Sequence, residues 1–135
     1  MKSRVSTNFI KADWACSCGC GQLIIDERLV AMMETVQYKI YEQIFTSLPT
    51  EEGKIILHSV NRCLKKNRSI PGSRDSSWHI PGGATDWHVE GWTIKQLHDF
   101  VRENHGEFKI FYGGAGFYSW GVHTDLGSLR IWGEM

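Results

Sequence analysis

Apolar residues recur every three or four positions from Leu29 through Met33, Val36 and Ile40 to Ile44. That period puts them on one face of a helix, and the spacing predicts one over residues 26–47. Asp26 and Glu27 fall in its first turn, where acidic groups complement the helix dipole, and Pro49 follows its end. Ile55, Ile56 and Leu57 form a short apolar run, which predicts a buried strand over 54–60. A polar stretch rich in Ser, Arg, Gly and Pro over 65–77 reads as a loop. A short strand is expected over 84–89. Thr93 and Gln96 form a capping box. It opens a second helix over 93–105, with Ile94, Leu97, Phe100 and Val101 as the apolar face and Gly106 as the stop. Residues 108–112, 116–125 and 128–132 read as strands joined by glycine turns. Residues 1–24 show no period and read as an irregular, cysteine-rich arm. The order predicts an α+β fold, with a small, mostly antiparallel sheet and two main helices in one domain spanning 1–135.

Composition narrows the function. Lys plus Arg number 15 and so do Asp plus Glu, so the net charge is zero. Nucleic-acid binding driven by bulk charge and a polybasic membrane anchor both need a basic excess. No run approaches the roughly 18–20 apolar residues of a membrane span. Met1-Lys2-Ser3-Arg4 opens with charge, but no apolar core follows, so no secretory signal is expected. Six Trp, six Phe, four Tyr and fourteen Gly suggest a loop-rich fold with a concave, aromatic-lined surface. Cys16, Cys18 and Cys20 alternate in one run and Cys63 stands apart. The spacing is Cys-x-Cys-x-Cys, not the Cys-x-x-Cys of zinc ribbons or redox motifs. That suits a disulfide or a buried turn better than a four-thiolate metal cage, with redox or metal chemistry as the alternative.

The informative stretch runs from Ser77 to Trp87. His79 and Asp86 flank a Pro81-Gly82-Gly83 turn that can return both side chains to one point. His123 follows in Gly121-Val122-His123-Thr124-Asp125. Two imidazoles and a carboxylate supply three zinc ligands and leave one position open, the mark of a catalytic site. Asp125 lies two residues after His123, so on a strand the two share a face. It is placed to accept the second ring proton of the histidine or to serve as a base. His88, two residues after Asp86, is a further acid–base candidate. His58 lies inside an apolar strand and reads as a hydrogen-bonded core histidine. His98 and His105 fall on or at the end of the second helix. Trp78, Trp87, Trp92 and Trp120 divide between the core and the wall of a groove.

Ser77-x-His79-x-x-Gly82-x-Ala84-x-Asp86 resembles the signature of the M15 zinc D-Ala-D-Ala carboxypeptidases and related peptidoglycan peptidases. Phe9 and the Cys16–Gly21 run are similar to the amino-terminal element of the M15A-like subgroup. Ser59-Val60-Asn61-Arg62-Cys63, with Asn67 and Gly72, resembles its Ser-Gly-Tyr-Arg-Cys segment. Gly116-Phe117-Tyr118, Val122-His123-Thr124-Asp125 and Arg130-Ile131-Trp132 resemble its closing strands. The resemblance implies a Hedgehog/D-Ala-D-Ala peptidase-like fold and Zn²⁺ held by His79, Asp86 and His123. It implies that Arg62 faces the site to hold a substrate carboxylate or the developing oxyanion, with Ser77 as a hydrogen-bonding neighbour; of the tryptophans around the motif, Trp120 is the candidate for the substrate wall. The pattern departs from the family at Trp120 and Gly121, where active members carry a proton-accepting side chain, and at Val60, where they carry Gly.

The leading expectation is a zinc peptidase that cuts peptidoglycan stem peptides as a monomer, without nucleic-acid or membrane partners. It would be made in the cytoplasm and reach the wall by holin-type release or as a virion component. The alternative is a zinc-stabilised binding module without turnover, as the Hedgehog signalling domain exemplifies. A redox or metal sensor built on the cysteine run is a third reading.

Overall fold

The computed structural model describes residues 3–44 and 51–133. Among the described residues four helices, α1 (Lys11–Trp14), α2 (Glu27–Gln43), α3 (Leu64–Arg68) and α4 (Ile94–Glu103), combine with five strands. These are β1 (Ile55–Ser59), β2 (Ala84–Val89), β3 (Gly114–Tyr118), β4 (Gly121–Asp125) and β5 (Arg130–Gly133). The strands form one sheet in the order β1-β2-β4-β3-β5. β5 runs parallel to β3 and every other pair is antiparallel. The fold is therefore α+β with a mostly antiparallel sheet, as the pattern predicts.

The two long helices follow the expected periods. Asp26 caps α2 from outside rather than sitting in its first turn, its side chain accepting from the Arg28 N–H. Leu29, Met33, Val36 and Ile40 are fully buried along one stripe. Ile44 caps the C-terminus, and the expected continuation to residue 47 and Pro49 lie outside the described residues. The Thr93–Gln96 capping box of α4 is formed on both sides. That helix ends at Glu103, capped by Asn104, so His105 and Gly106 lie beyond it. Both helices pack on one face of the sheet, against Trp87, Val89, Ala115, Phe117 and Val122. Strand alternation sends Asp86, His123 and Asp125 to the opposite face.

Several elements differ from expectation. The arm is anchored: Phe9 and Trp14 are buried in the core, α1 forms, and Arg4 bridges Ile10. The stretch over 65–77 contains α3, a Leu-Lys-Lys-Asn-Arg turn too short to show an apolar stripe. Residues 108–112 are no strand. Their alternation mimics one, but the Gly106 and Phe111 N–H groups bond back to Phe111 and Asn104. Phe108 is nearly fully exposed at φ 66. The expected strand over 116–125 is a hairpin, β3 and β4 joined through Ser119-Trp120, with Tyr118 opposite Gly121.

Candidate functional site

Register places the site along one row of the sheet. Ser59 of β1 pairs with Asp86 of β2, Asp86 with His123 of β4, His123 with Gly116 of β3, and Gly116 with Trp132 of β5. Gly116 matters by its missing side chain. A Cβ there would lie 2.6 Å from the Trp132 ring. Its absence lets Trp132 and His123 meet across the intervening strand at 5.2 Å between ring centroids.

His79 comes from the turn before β2, where its N–H donates to Ser77 Oγ at 3.2 Å. Its ring is buried. Nδ1 lies 2.7 Å from the Val60 carbonyl, which only an N–H can satisfy, so Nε2 carries the lone pair. That Nε2 has no hydrogen-bond partner, although Asp86 Oδ2 lies 3.2 Å away in poor geometry. Asp86 Oδ1 meets His123 Nδ1 at 2.8 Å and Oδ2 accepts from Arg62 at 2.9 Å. Ligand atoms of His79, Asp86 and His123 all lie within 4.8 Å of one another. A buried imidazole nitrogen left unpartnered is costly unless something takes its lone pair. With two histidines and one carboxylate around it, the donor set fits zinc with a position to spare.

The charges agree with this geometry. Burial favours the neutral acid at Asp86, but the hydrogen bond from His123 and the proximity of the His79 ring outweigh it and hold the carboxyl well below the usual range. Burial likewise opposes ionisation of Asp125, and His123 with Arg130 outweighs it. Burial disfavours the His123 cation, yet Asp125 and then Asp86 raise its pKa above the ordinary value.

Asp125 is placed beside His123 as the sequence suggests. Its Oδ2 receives His123 Nε2 at 2.8 Å and Arg130 Nη2 at 2.7 Å, and its Oδ1 receives Gly114 N, Gly127 N and Arg130 Nη1. Those contacts leave little room for a further proton and aim the imidazole, the usual outer role of a carboxylate on a metal-binding histidine. The sequence reading missed the Arg130 clamp. The five-residue separation from Asp125 carries no periodic signal, since the contact depends on β5 returning beside β3.

Arg62 follows β1, and burial lowers its pKa against the pull of Asp86. Its Nε donates to Ser59 Oγ at 2.9 Å and one terminal nitrogen to Asn67 Oδ1 at 3.3 Å. Asn67, fully buried on α3, holds the guanidinium in place; the sequence placed it in the family-like segment but gave it no role. His88 is not brought into the His79–Asp86–His123 cluster. Its Nδ1 lies 2.6 Å from His58 Nε2. His58 is exposed, not a core histidine, because the β1–β2 register slips between Leu57 and Ser59. A bulged residue is re-aimed out of the ladder. Burial, then the neighbouring His88, lowers the His58 pKa.

Arg62, His79, Asp86, His123 and Asp125 floor a cleft of about 790 Å³, with Ser77, Trp78, Tyr118 and Trp120 on its walls. Trp120 stacks on Tyr118 at 5.1 Å and meets the edge of His58 at 5.3 Å. A second hollow of about 330 Å³ holds His58 and shares Arg62, Asp86 and Trp120 with the cleft. His98 is a satisfied core histidine, bonded to the Tyr118 carbonyl. The cysteines form no disulfide; Cys16 is buried, while Cys18 and Cys20 are exposed.

A protein-family model described as Peptidase M15 matches residues 7–125. That span includes His79, Asp86, His123, Arg62 and Asp125. No curated protein and no solved structure gives a match.

Proposed function

Because the chain belongs to the Peptidase M15 family, we propose that it is a zinc peptidase acting on peptidoglycan stem peptides. The bond is that of a D-Ala-D-Ala carboxypeptidase or of an endolysin-type endopeptidase. The observation that carries the reading is the unpartnered Nε2 of buried His79, aimed at Asp86 and His123 on the floor of an open cleft. His79, Asp86 and His123 would hold the ion. When bound, zinc supplies Lewis-acid polarisation of a carbonyl and a water acidic enough to attack near neutral pH.

The chain's own residues do the rest. The Val60 carbonyl and Asp125 fix the two imidazoles in the tautomers that ligation needs. Arg62 spends three donors on Ser59, Asn67 and Asp86. A guanidinium has five in a fixed fork, so two remain for a substrate carboxylate or the oxyanion at the scissile carbonyl. Trp120 and Tyr118 form the wall against which the peptide lies. His58, backed by His88, accepts the proton at the rim, because the oxygens of Asp125 are already engaged. Action at the cell wall, after holin-type release or from a virion, belongs to this reading.

The test is digestion of purified peptidoglycan by zinc-loaded protein, read by mass spectrometry. New peptide termini should appear, vanish in His79→Ala, and fall steeply in His58→Gln and His88→Gln while bound zinc is unchanged. Zinc-loaded protein that cuts no wall chemotype would overturn the peptidase reading. A zinc-stabilised binding module would then stand. The feature that favours that second reading is the pair Trp120-Gly121, which brings no titratable side chain to the position where active relatives carry one.

A further inference from the structure

The cysteines belong to a second place in the molecule, independent of the cleft reading. Cys16, Cys18 and Cys20 lie on the arm after α1, and Cys63 caps the N-terminus of α3. Their sulfurs nonetheless all lie within 4.8 Å of one another. Cys16 and Cys18 are 3.5 Å apart, and Cys18 and Cys63 are 3.6 Å apart. Four sulfurs at about 2.3 Å from one zinc define a tetrahedron with edges of about 3.8 Å. The run is not extended: Gly19 at φ 83 and Gly21 at φ 82 turn the chain, a conformation glycine adopts at no steric cost, and the sulfurs gather at one point.

Backbone donors already point at the sulfurs. Cys63 N–H meets Cys16 Sγ at 3.4 Å, Gln22 N–H meets Cys20 Sγ at 3.4 Å, and Lys66 N–H meets Cys63 Sγ at 3.3 Å. Such bonds stabilise thiolate character and fix ligand direction, as outer contacts do in metal centres. The flanking Lys65 and Lys66 offset the negative charge that four thiolates around a divalent ion leave behind.

We propose that Cys16, Cys18, Cys20 and Cys63 bind one Zn²⁺ as a closed, four-thiolate structural site that fastens the N-terminal arm to the β1–α3 junction. Soft thiolate ligands in tetrahedral array select zinc among the common divalent ions, and four protein ligands leave no position for substrate. Binding replaces the thiol protons, which pass to solvent, and no electron moves. The consequence reaches the cleft through the chain. Cys63 adjoins Arg62 and opens the helix that carries Asn67, so the ion would hold the residues that set the Arg62 guanidinium.

The test is metal analysis of the full chain, purified under reducing conditions and loaded with zinc. Wild type should carry two zinc ions per chain, and His79→Ala/His123→Ala should retain one. In that same variant, Co²⁺ in place of zinc should give the near-ultraviolet thiolate charge-transfer band of a tetrahedral sulfur site. Cys20→Ser should lose the second ion, and Cys20→His, which restores a zinc ligand, should regain it. A cobalt spectrum without the thiolate band would overturn the proposal. So would equal thiol alkylation with and without zinc, or four cysteines found in disulfides. Failure of the cleft to bind zinc would instead show as one ion in wild type and a thiolate band undiminished.

Discussion

At the scale of single residues, the site depends on polar groups holding other polar groups. Asp125 is the clearest case. It is almost wholly buried and accepts from Arg130, His123 and two backbone N–H groups. Substituting Asn keeps the shape but removes the charge and one acceptor, and because Arg130 bonds both oxygens the amide must turn a donor toward Arg130 in either orientation. We expect Asp125→Asn to fold and to lose about 10–100-fold in zinc affinity, the usual effect of removing an outer carboxylate. Competition with a zinc chelator measures this directly. Unchanged affinity with a collapsed turnover would instead mean that Asp125 handles the proton. The pair His79 and Asp86 was legible in the sequence because its signature is local, one turn and one strand, and His123 because it sits in a second short family-like segment on β4. Arg130 and Asn67 fall in family-like segments, but their contacts with Asp125 and Arg62 were not legible, since no spacing announces them.

At the scale of elements, the sheet row Ser59–Asp86–His123–Gly116–Trp132 does the positioning. Gly116 is its weak point by design. A β-branched side chain would suit the strand by propensity, yet it would drive into the Trp132 ring and the packing of Trp132 on His123. Gly116→Val should therefore cost about 1–3 kcal/mol, as overpacking does. It should also weaken zinc binding, since His123 loses its neighbour. Thermal unfolding and the shift in Trp emission check the two effects together. An increase in stability would show that β5 yields freely and carries no role in the site. The same row explains what pattern reading could see. β2 was legible over 84–89, and the Thr93 capping box marked α4, because both are set by adjacent residues. The Ser119-Trp120 hairpin, the parallel β5 and the bulge that exposes His58 are set by pairing partners far along the chain. The apolar run before Ser59 looked like a uniform buried strand until β2 fixed its register.

At the scale of the whole molecule, helices cover one face of the sheet and the other face is left for chemistry. Among the described residues no helix is long and apolar enough to cross a membrane. The net charge is zero, so long-range attraction to an anionic wall is absent and the cleft must recognise its ligand by contact. The buried charges on that open face make stability depend on pH and on metal in opposite senses. In metal-free protein, Asp86 and Asp125 have depressed pKa values. Their contribution is present above the unfolded value of about 3.9 and is lost as pH falls through the folded one. His123 has a raised pKa. Its contribution is complete below about 6.5 and is lost as pH rises through the folded value. The cluster therefore stabilises metal-free protein most between about pH 4 and 6.5. Zinc needs the His123 nitrogen that faces Asp86 free of its proton, so its stabilisation grows as pH rises. The gap in melting temperature between zinc-loaded and chelator-treated protein should widen from mildly acidic to mildly alkaline pH. His123→Gln is the reference, because it lacks the titrating ring and keeps all four cysteines. The widening should exceed that seen in the variant, and the metal-free wild type should lose its acid-side advantage over it above pH about 6.5. Parallel curves for the two proteins would show that His123 neither carries the proton in the free state nor gives it up to the ion.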